Sequence, residues 1–121
     1  MLDSYKIAGG PHTFTVVWTT AKFRADNPKI YRAFLAAFEE AIAEINHDKP
    51  AAAKNYIAWA NYKGPADLPL KVLDDPLVKF TTTPHRITTY ADFMYGIGSI
   101  KVKPTSWKDM FFPEIHSLQG S

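Results

Sequence analysis

The sequence predicts an α+β domain, mainly helical, on three observations. Apolar residues recur at three- and four-residue steps over long stretches, the period of an amphipathic helix. One short run, residues 13–20, is dense in β-branched and aromatic side chains and reads as a strand. Proline and glycine punctuate nearly every boundary between these stretches, with no internal repeat and no low-complexity tract. With 121 residues, the chain is expected to form a single domain over residues 1–121, burying roughly two-thirds of the surface that its unfolded form exposes.

Gly9-Gly10-Pro11 is a turn signal that leads straight into the strand, whose two faces both carry apolar residues. Asp26-Asn27-Pro28 then starts a helix, with Asn27 expected as N-cap and Pro28 at the first helical position, where a missing N–H costs nothing. Tyr31, Phe34, Leu35, Phe38, Ile42 and Ile45 fall on one stripe of it, and Lys29, Arg32, Glu39, Glu40 and Glu44 mostly on the other side, so the helix is expected over residues 28–46. Asp48 and Pro50 repeat the device for a helix over residues 51–61, burying Tyr56, Ile57 and Trp59. Residues 66–75 allow a short helix with Pro69 in its first turn. Residues 77–82 are extended in character. Thr83-Pro84 opens a further helix with Ile87, Tyr90, Ala91, Met94 and Ile97 on one stripe, stopped by Gly96 and Gly98. Ser106-Trp107-Lys108-Asp109 is a variant capping box that predicts a last short helical turn.

One imbalance stands out. The strand needs partners for its backbone groups, and only residues 77–82 and 100–103 are extended enough to serve, while a two-stranded ribbon is marginal in water. Either a second copy supplies strands through the exposed edge, or the sheet lies in a larger protein of which this is a piece.

Composition narrows the chemistry. The formal charge of +2 comes from fourteen basic and twelve acidic residues spread along the chain. No basic run exists that would release several phosphate counterions at once, so nucleic acid is not an expected partner. Cysteine is absent, which excludes disulfides, thiolate metal sites and thiol nucleophiles. The start, Met1-Leu2-Asp3-Ser4-Tyr5-Lys6, lacks the basic and apolar stretches of a secretory signal, so no signal peptide is expected in this chain.

His12, His47, His85 and His116 stand far apart, none with the companion spacing of a metal pair, so no metal site is expected. Glu39, Glu40 and Glu44 read as a solvated helix face rather than paired carboxylates for acid/base work. No G-x-S-x-G turn or S-x-x-K pair offers a nucleophile, and the glycine turn lacks the Lys-Ser/Thr of a phosphate loop. No catalytic residue and no cofactor is expected, and the chain is read as a binder rather than an enzyme. Trp18 and Phe14 share one face of the strand behind a glycine turn, where aromatic side chains can line a ligand cleft.

Read in order, Gly9-Gly10-Pro11-His12-Thr13-Phe14, then Phe23-Arg24-Ala25-Asp26-Asn27-Pro28, then residues 31–41, then Tyr90-Ala91-Asp92-Phe93-Met94 and Pro104-Thr105-Ser106-Trp107-Lys108-Asp109, resemble the substrate-binding proteins of ABC importers for nitrate, sulfonate, taurine and thiamine-pyrimidine precursors. The resemblance spans nearly the whole chain and corresponds to the C-terminal third of such proteins. It implies a fragment of a two-lobed α/β periplasmic-binding-protein fold of type II that closes on a solute and meets an ABC permease. It also implies a periplasmic or membrane-associated extracytoplasmic location for the parent. Ligand contact carries over to Gly10, Pro11, His12 and Thr13, with Trp18 added from its place on the strand. The competing readings are a self-associating helical interaction module without ligand, and an enzyme resembling a pyrimidine synthase of the same fold.

Overall fold

The structure, a computed structural model, describes residues 4–121. Met1, Leu2 and Asp3, part of the segment expected to lack a secretory signal, lie outside the described residues. Six α-helices form: α1 (Ser4–Ala8), α2 (Ala21–Asp26), α3 (Pro28–His47), α4 (Lys49–Trp59), α5 (Leu68–Asp74) and α6 (Ile87–Gly96), followed by 3-10 turns at Trp107–Met110 and Pro113–Ile115. Helix accounts for 56% of the described residues, and no strand occurs among them. The chain divides into two compact units, one of residues 18–81 and the other of the described residues up to 17 together with 82–121.

In the unit of residues 18–81, α2 to α5 pack in sequence order, each on the next. The Thr20 hydroxyl starts α2 by accepting the Phe23 N–H at 3.0 Å. Asn27 ends α2 and begins α3, but its side chain turns back, its amide donating to the Phe23 carbonyl at 3.1 Å, so the expected side-chain cap on α3 is absent and Pro28 opens that helix alone. The apolar stripe of α3 is half-buried at Tyr31, Leu35, Phe38, Ile42 and Ile45. Phe34 stacks on Phe38 at 5.9 Å with the rings 13° apart. Asp48 caps α4 by accepting the Ala51 N–H at 2.9 Å. In α4 only Ala53 is fully buried, so Tyr56 and Trp59 correct the expectation: Trp59 is 87% exposed, and Tyr56 leans on Tyr62 at the helix end instead of entering a core.

In the other unit, α6 starts three residues later than Thr83-Pro84 suggested, because residues 84–86 are held by other partners. The Ser121 N–H donates to the Pro84 carbonyl at 3.0 Å, and the Ser121 carbonyl accepts the Ile87 N–H at 2.8 Å. Ala91 is the buried residue of the α6 stripe. The C-terminal region gathers on Trp107, 7% exposed, which meets Phe111 and His116 edge-on at 5.9 and 5.7 Å. The capping box forms as the sequence predicts. The Ser106 hydroxyl accepts the Lys108 N–H at 3.2 Å and the Asp109 carboxylate accepts the Ser106 N–H at 3.0 Å.

The helical architecture overturns the expected α+β fold and, with it, the sheet of a two-lobed α/β protein. Residues 13–20 form no strand and pair with no ladder partner. Thr13 is bound to His85, its N–H donating to the His85 carbonyl at 2.9 Å and its hydroxyl accepting the His85 N–H at 2.8 Å. The two segments expected to pair with it are engaged elsewhere: the Leu77 and Val78 N–H groups bond to Asp75, and Phe80 accepts the Asn46 amide at 3.0 Å. Ile100 turns back to Met94. β-propensity describes fitness for a pleated, half-buried surface, and a segment without a ladder partner does not become a strand.

Candidate functional site

The glycine turn and the segment entering α6 meet in the unit made of the described residues up to 17 together with 82–121. α1 stops at Gly9 and Gly10, with φ of 78° and 138°, and the Gly10 N–H reaches back to the Tyr5 carbonyl at 2.7 Å. These are backbone angles that side chains with a Cβ rarely adopt, and glycine is the residue that ends a helix this way. Pro11 follows, exposed. His12 is half-buried, its Nδ1 lying 3.1 Å from the Gly10 carbonyl. That oxygen can only accept, so Nδ1 carries the proton. The imidazole sits between two phenol rings, Tyr5 at 5.2 Å and Tyr90 of α6 at 5.7 Å, and among the described residues its Nε2 has no hydrogen-bond partner.

Arg86 completes the cluster, and sequence reasoning missed it. Its backbone is left-handed, φ 52° and ψ 29°, a conformation that costs a residue bearing a Cβ about 1–2 kcal/mol. The surrounding bonds impose it: the Arg86 N–H donates to the Ser121 hydroxyl at 3.0 Å, and residues 84, 85 and 87 are each tied by the Ser121 or Thr13 bonds already described. The side chain consequently lies across the glycine turn. Nη1 is 3.4 Å from the Ala8 carbonyl. A Cβ on Gly9 would come within 3.2 Å of Nη1, and one on Gly10 within 3.3 Å of Nε and Nη2. Among the described residues no carboxylate pairs with this guanidinium.

Gly10, Pro11, His12 and Thr13 are therefore gathered in one loop, with Arg86 over its glycines and Tyr5 and Tyr90 around its histidine. Trp18, the remaining predicted contact, belongs to the other compact unit, where its ring is 81% exposed. Arg86 was hidden because Thr83-Pro84 read as a cap, which placed Arg86 inside a helix as an ordinary surface cation.

Chemically, the loop offers a planar, permanently charged fork with several unengaged N–H groups, beside an imidazole and two phenols. Guanidinium forks recognise planar oxyanions bidentately. A second concavity, in the helical unit, is a groove of about 180 Å³ lined by Asn46, Lys49, Leu73, Asp75 and Phe80 among others. It is smaller than the roughly 300–1,000 Å³ of small-molecule sites. Two of its polar groups are also occupied, Asn46 by the Phe80 carbonyl and Lys49 by Asp74 at 3.7 Å. Among the described residues no cluster of three or more His, Asp or Glu side chains is placed to hold a metal ion, and no helix is long and apolar enough to cross a membrane. No protein-family model, no curated protein and no solved structure matches the chain.

Proposed function

We propose that this chain acts as a solute-binding component of an ABC importer, or as part of one, and that its solute is a small oxyanion of the nitrate, sulfonate or taurine kind. The observation that carries the reading is the Arg86 guanidinium, held over Gly9 and Gly10 without a carboxylate partner among the described residues. The motif resemblance supplies the importer context, in which the partner is an ABC permease and the location extracytoplasmic. The role is binding and not catalysis.

In this reading Arg86 provides the counter-charge, while Gly10 and Pro11 let the anion approach the turn closely. The His12 ring and the Thr13 backbone shape the floor of the site.

Calorimetry against nitrate, sulfate, taurine and an aminopyrimidine tests it. A charged hydrogen bond is worth about 1.5–3 kcal/mol, so Arg86→Ala is expected to weaken binding of the preferred anion by roughly 10- to 150-fold and to leave helix content unchanged. Absence of binding by any of the three anions, or binding indifferent to Arg86→Ala, overturns the reading. Preference for the pyrimidine moves the solute from the anion class to the heteroaromatic one.

A further inference from the structure

The left-handed backbone of Arg86 depends on a single residue that bonds to its neighbours on both sides. The Ser121 N–H donates to the Pro84 carbonyl at 3.0 Å, its hydroxyl accepts the Arg86 N–H at 3.0 Å, and its carbonyl accepts the Ile87 N–H at 2.8 Å. Thr13 binds His85 alone. At a φ of 52°, a residue with a Cβ gains by leaving this conformation unless such bonds oppose it. Ser121 is itself exposed, so its position is set by the residues before it.

Gly120 lies directly on the Trp107 indole. A Cβ there would come within 2.7 Å of Cε2 and 2.9 Å of Cδ2 and Cζ2, well inside the contact distance of two carbons. Its φ is not in the left-handed region, so space and not backbone freedom demands glycine at this position. The ring has little room to give way. Trp107 is 7% exposed, Phe111 and His116 meet it edge-on, and the Lys108 ammonium lies 5.7 Å from its centroid. His116 is fixed in turn, its Nε2 donating to the Phe111 carbonyl at 2.9 Å. The Leu118 N–H bonds to the Ile115 carbonyl at 3.0 Å, so residues 118–121 run from the second 3-10 turn over the indole to the start of α6 as a strap.

We infer that Gly120 is a positioning residue of the anion site: by seating the strap on Trp107 it keeps Ser121 where it holds Arg86 in its left-handed turn, and so keeps the guanidinium across Gly9 and Gly10. The link is contiguous, from the indole through Gly120 and Ser121 to Arg86, whose Nη1 ends 3.4 Å from the Ala8 carbonyl. Released from the strap, residue 86 returns to the right-handed region that residues with a Cβ prefer, and its side chain leaves the glycine turn. The conformation competent for the anion becomes a minor one, and affinity falls by the fraction lost. The inference rests on the proposed oxyanion binding at Arg86 only for this affinity effect, since the hold of the strap on residue 86 is measurable without a ligand.

Two readouts separate the strap from the solute. In calorimetry with whichever of nitrate, sulfate and taurine the unmodified chain binds best, Gly120→Ala is expected to weaken binding by roughly 5- to 30-fold, the population shift of a residue released from a left-handed backbone. Helix content by circular dichroism is expected to stay unchanged. Ser121→Ala, which spares the contact with Trp107, is expected to weaken binding in the same direction, and Ser121→Thr, which restores the hydroxyl, to bind like the unmodified chain. Without ligand, Arg86→Gly and Arg86→Ala differ only by a Cβ. Held at its left-handed φ, residue 86 favours glycine, so Arg86→Gly has the higher urea midpoint. With Gly120→Ala added, residue 86 is free to turn right-handed, where alanine is favoured, and the order reverses. Should Gly120→Ala lose helix content, Ser121→Ala takes its place in both readouts. The inference is overturned if the strap variant binds the anion as tightly as the unmodified chain, or if Arg86→Gly keeps its advantage over Arg86→Ala in the strap variant. A chain that binds none of the three anions overturns the solute reading, and the order of the midpoints then decides the strap alone.

Discussion

Two residues concentrate the local chemistry. Asp109 accepts from the Thr105 hydroxyl at 2.9 Å and from the Thr105 and Ser106 N–H groups at 2.8 and 3.0 Å. The Thr105 hydroxyl leads, followed by the two backbone donors and, more weakly, the charge of His116, in holding its carboxyl below the usual carboxylate range. Because the folded value lies below the unfolded one, the associated stability is fully present above the ordinary aspartate pKa of about 3.9 and is lost as pH falls through the depressed value. Denaturant melts across the acid range are expected to show this loss in the native chain and a shallower dependence in Asp109→Asn. A carboxyl NMR titration should place Asp109 below free aspartate. Gly10 is constrained differently. Its φ of 138° and the Arg86 atoms 3.3 Å from any added Cβ predict that Gly10→Ala loses about 1–2 kcal/mol, the cost of forcing a Cβ into a disallowed backbone. Urea midpoints measure this, and a loss within about 0.5 kcal/mol would show that the turn relaxes.

At the scale of elements, starts are determined by single side chains where these are present and by long-range contacts where they are not. α4 depends on Asp48, which accepts the Ala51 N–H while its own N–H closes α3 onto the Glu44 carbonyl at 3.0 Å. Asp48→Ala is expected to cost about 1 kcal/mol and Asp48→Asn much less, read from chemical denaturation with circular dichroism at 222 nm. The contrast with α6 is instructive. No side chain caps it, and its first N–H is taken by the Ser121 carbonyl. Such a start is invisible to a local rule.

For the whole molecule, legibility follows the same division. Helices α3, α4 and α5 could be read because their signals are local: Pro28 and the 31-35-38-42-45 stripe for α3, Asp48 and Pro50 for α4, Pro69 for α5, whereas α1 and α2 were not read. The strand over residues 13–20 could not, because β-structure depends on a partner, and the propensity of Val16, Val17 and Trp18 says nothing of whether one exists. The glycine turn ahead of His12 and Thr13 was legible as a turn, since turn chemistry is written in adjacent residues. Arg86 was not, because its left-handed backbone is imposed by Ser121, 35 residues away, and its neighbour His85 is fixed by Thr13, 72 residues away.

The bonds from Ser121 also set an order of events. The unit bearing the glycine turn is made of the described residues up to 17 together with 82–121, and residues 18–81 stand between its two parts in sequence. That stretch is a run of consecutive helices with short-range contacts, of the kind that forms quickly and whole while the chain is still being synthesised. The glycine turn with its Arg86 follows a different timetable. Arg86 takes its left-handed turn against Ser121, so on a ribosome the α2 to α5 block folds first, and the loop is completed only after residue 121 has emerged from the exit tunnel.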